Sequence, residues 1–99
     1  MNEHKFDERI DSLYRFCMSL KMDMDRFYVE MEDSALFVRD RKSAAYAKFE
    51  DGSRKVEYPS HVEGEFITLN TVTRTECLSA LQFVGDVLSD VRIAVSGSF

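Results

Sequence analysis

Ninety-nine residues, of which 44% are hydrophobic and 31% charged, support one domain with one core. Eighteen acidic against thirteen basic side chains leave a net charge of −5, which argues against general binding to DNA or RNA, where phosphate neutralisation supplies most of the affinity. Four glycines and one proline leave little material for linkers, so residues 1–99 are expected to form a single α+β domain.

The charge is uneven along the chain. Residues 1–34 carry nine acids and five bases, residues 35–58 four acids and six bases, and residues 59–99 five acids and two bases. The middle is therefore mildly basic between two acidic thirds. The polar start MNEHKFDERI is unlike a signal peptide, and no apolar run reaches the roughly 18 residues of a membrane span, so a cytoplasmic protein without membrane contact is expected.

In chain order, a first helix is expected from about Glu3 to Lys21. Phe6, Ile10, Leu13, Cys17 and Leu20 recur at spacings of four and three on one stripe, which Tyr14 and Phe16 widen. Two alternating runs follow, Arg26–Glu32 and Ala35–Arg41. A two-residue turn at Asp33-Ser34 sets Met31 opposite Leu36 and Val29 opposite Val38, facing inward. Tyr28, Glu30 and Glu32 then face Arg39, Phe37 and Ala35 on the outer side.

Asp51-Gly52 signals a second hairpin, with Ala45, Ala47 and Phe49 sharing a face with Val56 and Tyr58. Pro59 ends that strand or marks an edge. Gly64–Asn70 reads as a further strand, with Ile67 and Leu69 facing opposite to Phe66 and Thr68. Thr73-Arg74-Thr75-Glu76 fits a capping box, with Val72 and Cys77 at the positions of a hydrophobic staple. The helix it opens carries Cys77, Leu81, Val84 and Leu88 as a core stripe beside Leu78. Gly85 inside it costs roughly 1 kcal/mol against alanine and is explained by a close helix–sheet contact or merely tolerated. Val91, Ile93 and Val95 alternate as a closing strand. The expected order is α-β-β-β-β-β-α-β, an antiparallel meander of about four to six strands with two amphipathic helices on one face.

Chemical constellations are sparse. His4 and His61 are the only histidines and read as solvated, and no third ligand stands at zinc spacing. Cys17 and Cys77 lie on apolar stripes, where a thiolate is disfavoured and a buried thiol is expected. Asp23-x-Asp25 lacks the glycine and spacing of a calcium loop and reads as a solvated helix terminus. Met18, Met22, Met24 and Met31 read as packing residues. Arg39, Arg41 and Lys42, with Lys48, Arg54 and Lys55, read as charged turns that keep strands soluble, the lesser alternative being a phosphate contact in a nucleic-acid binder or an enzyme. The sequence thus points to no enzyme, no metal and no cofactor.

The outer sheet face is the remaining lead. Tyr28, Phe37 and Tyr46 stand there among Glu30, Glu32 and Arg39, a mixture that resembles interface cores and rims. These six residues are the expected contact surface for a protein partner. Size and charge resemble those of small phage-encoded host inhibitors and of immunity proteins, which act by occupying a partner. The helix–meander–helix order also resembles the small acidic type III secretion chaperones in architecture, without a shared motif or their third helix. That resemblance implies the alternative, a homodimeric chaperone-like adaptor.

Overall fold

Asp33 and Ser34 both take positive φ values, 51° and 71°, as do Asp51 and Gly52 at 44° and 78°. Two consecutive left-handed residues make the turn whose twist matches that of the flanking strands, so each pair closes a tight hairpin. The computed structural model describes residues 7–97, with side chains through Asp90. Within it, helix α1 (Glu8–Ser19) precedes strands β1 (Phe27–Glu32), β2 (Ala35–Asp40), β3 (Tyr46–Glu50), β4 (Ser53–Pro59) and β5 (Phe66–Thr71), and helix α2 (Arg74–Gly97) follows. The five strands form one antiparallel sheet in the order β1-β2-β3-β4-β5. The α+β meander with two helices is the architecture expected from the sequence.

Both hairpin registers agree with the sequence pattern. Met31 lies opposite Leu36, Val29 opposite Val38, Glu30 opposite Phe37 and Tyr28 opposite Arg39. Val38 continues to Ala47, Ala47 to Val56, and Val56 to Leu69, so one row crosses all five strands. The inner part of that row is the core. Val38, Ala47 and Val56 are fully buried with Leu13 and Cys17 of α1 and with Cys77, Leu78 and Leu81 of α2. Both helices therefore cover the same face.

The expected closing strand is absent: residues 91–95 belong to α2. Leu88, Val91 and Val95 also satisfy helical spacing, and no glycine or proline separates them from the helix before, so the helix simply continues. α1 starts at Glu8, capped by the Asp7 carboxylate, which accepts from the Arg9 amide at 2.9 Å. Phe6 and His4 lie outside the described residues. Tyr14 does not widen the buried stripe; it is exposed.

The start of α2 differs from expectation in two details. Thr73 Oγ1 accepts from the Glu76 amide at 3.0 Å as expected, but Glu76 Oε1 reaches the amide of Val72 rather than Thr73, at 2.9 Å. The staple is not formed, because Val72 is 76% exposed. Its amide is held by Glu76 and its carbonyl by Arg54 Nη1 at 3.2 Å, and this leaves the side chain pointing outward.

Gly85 marks the closest approach of α2 to the strands. A methyl group there would overlap Asp40 Oδ2 and come within 2.6 Å of Arg26 Nη2. Asp40 is buried and accepts from Arg26 Nε at 2.9 Å, Arg26 Nη2 at 3.0 Å, Ser43 Oγ at 2.5 Å and the Lys42 amide at 2.9 Å. Arg26 Nη1 then reaches Asp86 on α2 at 2.7 Å. Burial alone would push the Asp40 carboxyl up, but the Arg26, Ser43 and Lys42 hydrogen bonds outweigh it and hold it below its usual range. This cluster ties the start of β1, the end of β2 and the middle of α2 together. The glycine in the helix is thus explained by a close contact.

Candidate functional site: the outer face of the sheet

Alternation sends every second side chain of β1, β2, β3, β4 and β5 away from the helices. The registers bring Tyr28, Arg39, Tyr46, Glu57 and Thr68 into one outer row, and Glu30, Phe37, Lys48, Lys55 and Asn70 into the next. All six residues expected to form the contact surface are therefore neighbours: Tyr28, Glu30 and Glu32 on β1, Phe37 and Arg39 on β2, and Tyr46 on β3.

Their exposure is uneven. Phe37 points outward but is only 8% exposed, because cations cover its ring. Arg39 Cζ lies 4.4 Å from the Phe37 centroid and 5.2 Å from that of Tyr46, and Lys48 Nζ lies 5.6 Å from Phe37. Such placements over an aromatic face are favourable for guanidinium and ammonium groups. Arg39 is held from the side as well, by an ion pair to Glu30 and another to Glu32 at 3.2 Å. Arg41 covers Tyr28 at 4.2 Å and donates to the Asp25 carbonyl at 3.1 Å.

Three aromatic rings form a ridge across the sheet. Phe37 meets Tyr46 edge-on with centroids 5.6 Å apart, and Tyr46 meets Phe66 at 6.2 Å. Phe66 is the exposed end of this ridge, half of its surface being free. The Tyr46 hydroxyl donates to Glu57 Oε1 at 2.6 Å, and Thr68 Oγ1 donates to Glu57 Oε2 at 2.9 Å. Burial first, then the Glu57 carboxylate, pushes the Tyr46 hydroxyl up to about 12. The same hydrogen bond from Tyr46, with that from Thr68, holds Glu57 below its usual range despite partial burial.

Lys48 and Lys55 stand directly opposite one another on β3 and β4. Like charges in facing positions are destabilising in a sheet. Lys48 is partly compensated by Glu50 at 3.3 Å. Phe66 and Glu57 are not among the residues the sequence singles out, and Lys48 and Lys55 stand out there only as part of the basic region, not as outer-face residues. The second hairpin carried the signal, since fixing its register from Asp51-Gly52 places Lys48 and Lys55 face to face on the outer side.

The basic middle of the chain is divided between surfaces. Arg39, Lys48 and Lys55 belong to the outer face, and Arg41 and Lys42 to the turn after β2. Arg54 lines a groove of about 660 Å³ at the other end of the sheet, with Arg9, Arg74, Glu8, Leu36 and Phe49. His61 is exposed in the loop between β4 and β5. Asp23 is a turn residue rather than a helix terminus: its Oδ1 accepts from the Asp25 amide at 3.0 Å, and its carbonyl accepts from the Arg26 and Phe27 amides. Met22 is buried and Met24 packs on the core, while Met18 is exposed. Cys17 and Cys77 are both fully buried free thiols, and burial pushes Cys17 up to about 11 and raises Cys77.

Among the described residues no group of three or more His, Cys, Asp or Glu could hold a metal ion, and no helix is long and apolar enough to cross a membrane. Comparison with known protein families, curated proteins and solved structures finds no match.

Proposed function

We propose that this protein is a non-enzymatic protein-binding module that acts by occupying a protein partner through the outer face of its sheet, as inhibitors, immunity proteins and adaptors do. The observation that carries this reading is the aromatic ridge Phe37–Tyr46–Phe66 with Arg39 stacked on its first two rings. Tyrosine, phenylalanine and arginine are the residue types enriched at interface cores, and hot spots form where such groups are held rigid before contact. Here the ridge is fixed by ion pairs, hydrogen bonds and ring contacts, so little side-chain freedom remains to be lost on binding.

Charge refines the reading. The chain carries −5 overall, yet Glu30, Glu32, Glu50 and Glu57 on this face stand against Arg39, Lys48 and Lys55. A partner carboxylate set between Lys48 and Lys55 would relieve their mutual repulsion, while Glu30 and Glu32 form an acidic flank. The partner surface that fits has an acidic group facing the lysines and a basic rim facing β1. Since Phe37 lies beneath Arg39 and Lys48, it supports the surface, and Tyr28, Tyr46 and Phe66 supply the contact.

Tagged protein would be used to capture partners from the lysate of its native host, followed by mass spectrometry after a moderate salt wash. One stoichiometric protein is expected with the unaltered chain, and its loss is expected with Glu30→Lys and with Lys55→Glu, each checked for an unchanged circular dichroism melt. Equal capture by both variants would refute the outer-face reading. Recovery of nucleic acid alone would replace it with a phosphate-binding one.

A further inference from the structure

Among the described residues, strand β5 is an edge of the sheet with β4 as its one neighbour. An unpaired edge offers a row of free backbone donors and acceptors, and proteins protect such edges with charge, proline or bulges. β1, the opposite edge, carries Glu30 and Glu32. β5 reads FITLNT, without a charge or a proline, and pairs with β4 through six consecutive residues without a bulge. Every residue from Phe66 through Asn70 is exposed.

The apolar surface continues from the strand onto the helix. On the inner face, Ile67 and Leu69 remain 42% and 41% exposed. α2 crosses above β3, β4 and β5. Gly85 flanks its buried stripe on the side of Arg26 and Asp40. At 3.6 residues per turn, Ala80 and Val87 therefore flank it on the other side, toward β5, with Phe83 beyond them. Phe83 and Val87 are exposed, Phe83 by 69%.

We infer that β5 pairs antiparallel with β5 of a second copy of this chain, giving a two-fold dimer with one continuous sheet and both α2 flanks on the same side. Charge selects this occupant. For a chain of net charge −5, self-association through β1 would set glutamates against glutamates, whereas FITLNT meets its own copy without any charge opposition. The pattern is also self-complementary. With the axis at Thr68, Ile67 lies opposite Leu69 of the second copy and Phe66 opposite its Asn70, so inner faces meet inner faces. The helix flank extends the contact beyond the backbone ladder, toward the roughly 1,000 Å² that a specific interface needs. The dimer sets Asn70 of the second copy beside Phe66 but leaves the central outer face, from Tyr28 to Lys48, open, so it does not depend on the partner reading above.

Sedimentation velocity across micromolar concentrations tests it, with two kinds of variant. The unaltered chain is expected to reach the mass of two chains, and Leu69→Lys to weaken self-association at least about tenfold, because the ammonium enters the contact twice and is desolvated there. Thr68→Cys is expected to form an intermolecular disulfide on mild oxidation, the native thiols being buried; this variant keeps the strand uncharged and guards against misfolding of the first. A single-chain mass at every concentration overturns the inference, including the case where β5 accepts a strand from a different protein. So does a dimer that persists in Leu69→Lys and does not cross-link through position 68. A dimer lost with Glu30→Lys but kept with Leu69→Lys would lie on the outer face and equally refute β5 pairing.

Discussion

Replacing glycine by alanine inside a helix ordinarily stabilises a protein by about 1 kcal/mol. At Gly85 the opposite sign is expected. The added methyl would overlap Asp40 Oδ2 and approach Arg26 Nη2 to 2.6 Å. Both atoms end flexible side chains, but neither is free to move: the Asp40 carboxylate is enclosed and takes four hydrogen bonds from Arg26, Ser43 and Lys42. Relief requires either loss of a hydrogen bond to a charged group, about 1.5–3 kcal/mol, or displacement of α2, an overpacking cost of about 1–3 kcal/mol. Set against the propensity gain, Gly85→Ala should destabilise by up to about 2 kcal/mol net, at roughly 4–8 °C of Tm per kcal/mol in a domain of this size. Urea denaturation followed by circular dichroism would measure it, with Ser79→Ala as the control on an exposed position of the same helix. Ser79→Ala should gain a few tenths of a kcal/mol, about 0.5 at most. If Gly85→Ala also gains stability, the close contact between α2 and the Asp40 cluster is not real.

Two further outcomes follow from buried groups. Asp40 titrates below its ordinary value in the folded chain, so its contribution is complete above the unfolded carboxyl range and is lost as pH falls through the lowered folded value; Asp40→Asn should cost about 3 kcal/mol at neutral pH and flatten the acid side of the stability profile, and an unchanged acid limb in that variant would refute the assignment. Cys17 and Cys77 are fully buried with raised thiol pKa values, so a disulfide reagent at neutral pH should label them only on the timescale of opening and at once in urea, whereas immediate labelling of the native protein would contradict their placement.

Local pattern carried the hairpins. Alternation in FYVEME and ALFVRD, joined by Asp33-Ser34, leaves one register that buries Val29 and Val38 together, and the structure adopts it. Asp51-Gly52 does the same for β3 and β4. The end of α2 is ambiguous in the sequence because Val91, Ile93 and Val95 fit period two while Val91 and Val95 also fit the helical spacing from Leu88, and only the absence of a breaker separates the two. The staple failed because Val72 is fixed by Arg54, a residue 18 positions away that sequence periodicity does not place. Likewise the Arg26–Asp40–Asp86 cluster joins residues 14 and 60 positions apart, and only the tertiary fold makes it. For the candidate site, parity along each strand assembled the six outer-face residues. It could not tell that Arg39 and Lys48 would fold over Phe37 and leave Tyr28, Tyr46 and Phe66 as the more accessible rings, since that depends on the rotamers of long side chains.

Hydroxyl-radical footprinting of the chain alone and bound to the protein it captures would test the outer-face reading most directly. Occupation of that face predicts that Tyr28, Tyr46 and Phe66 become protected while Tyr14, exposed on α1, is oxidised equally in both states. Protection of Tyr14 with unchanged oxidation of Tyr28 and Tyr46 would move the contact to the helical side and contradict it.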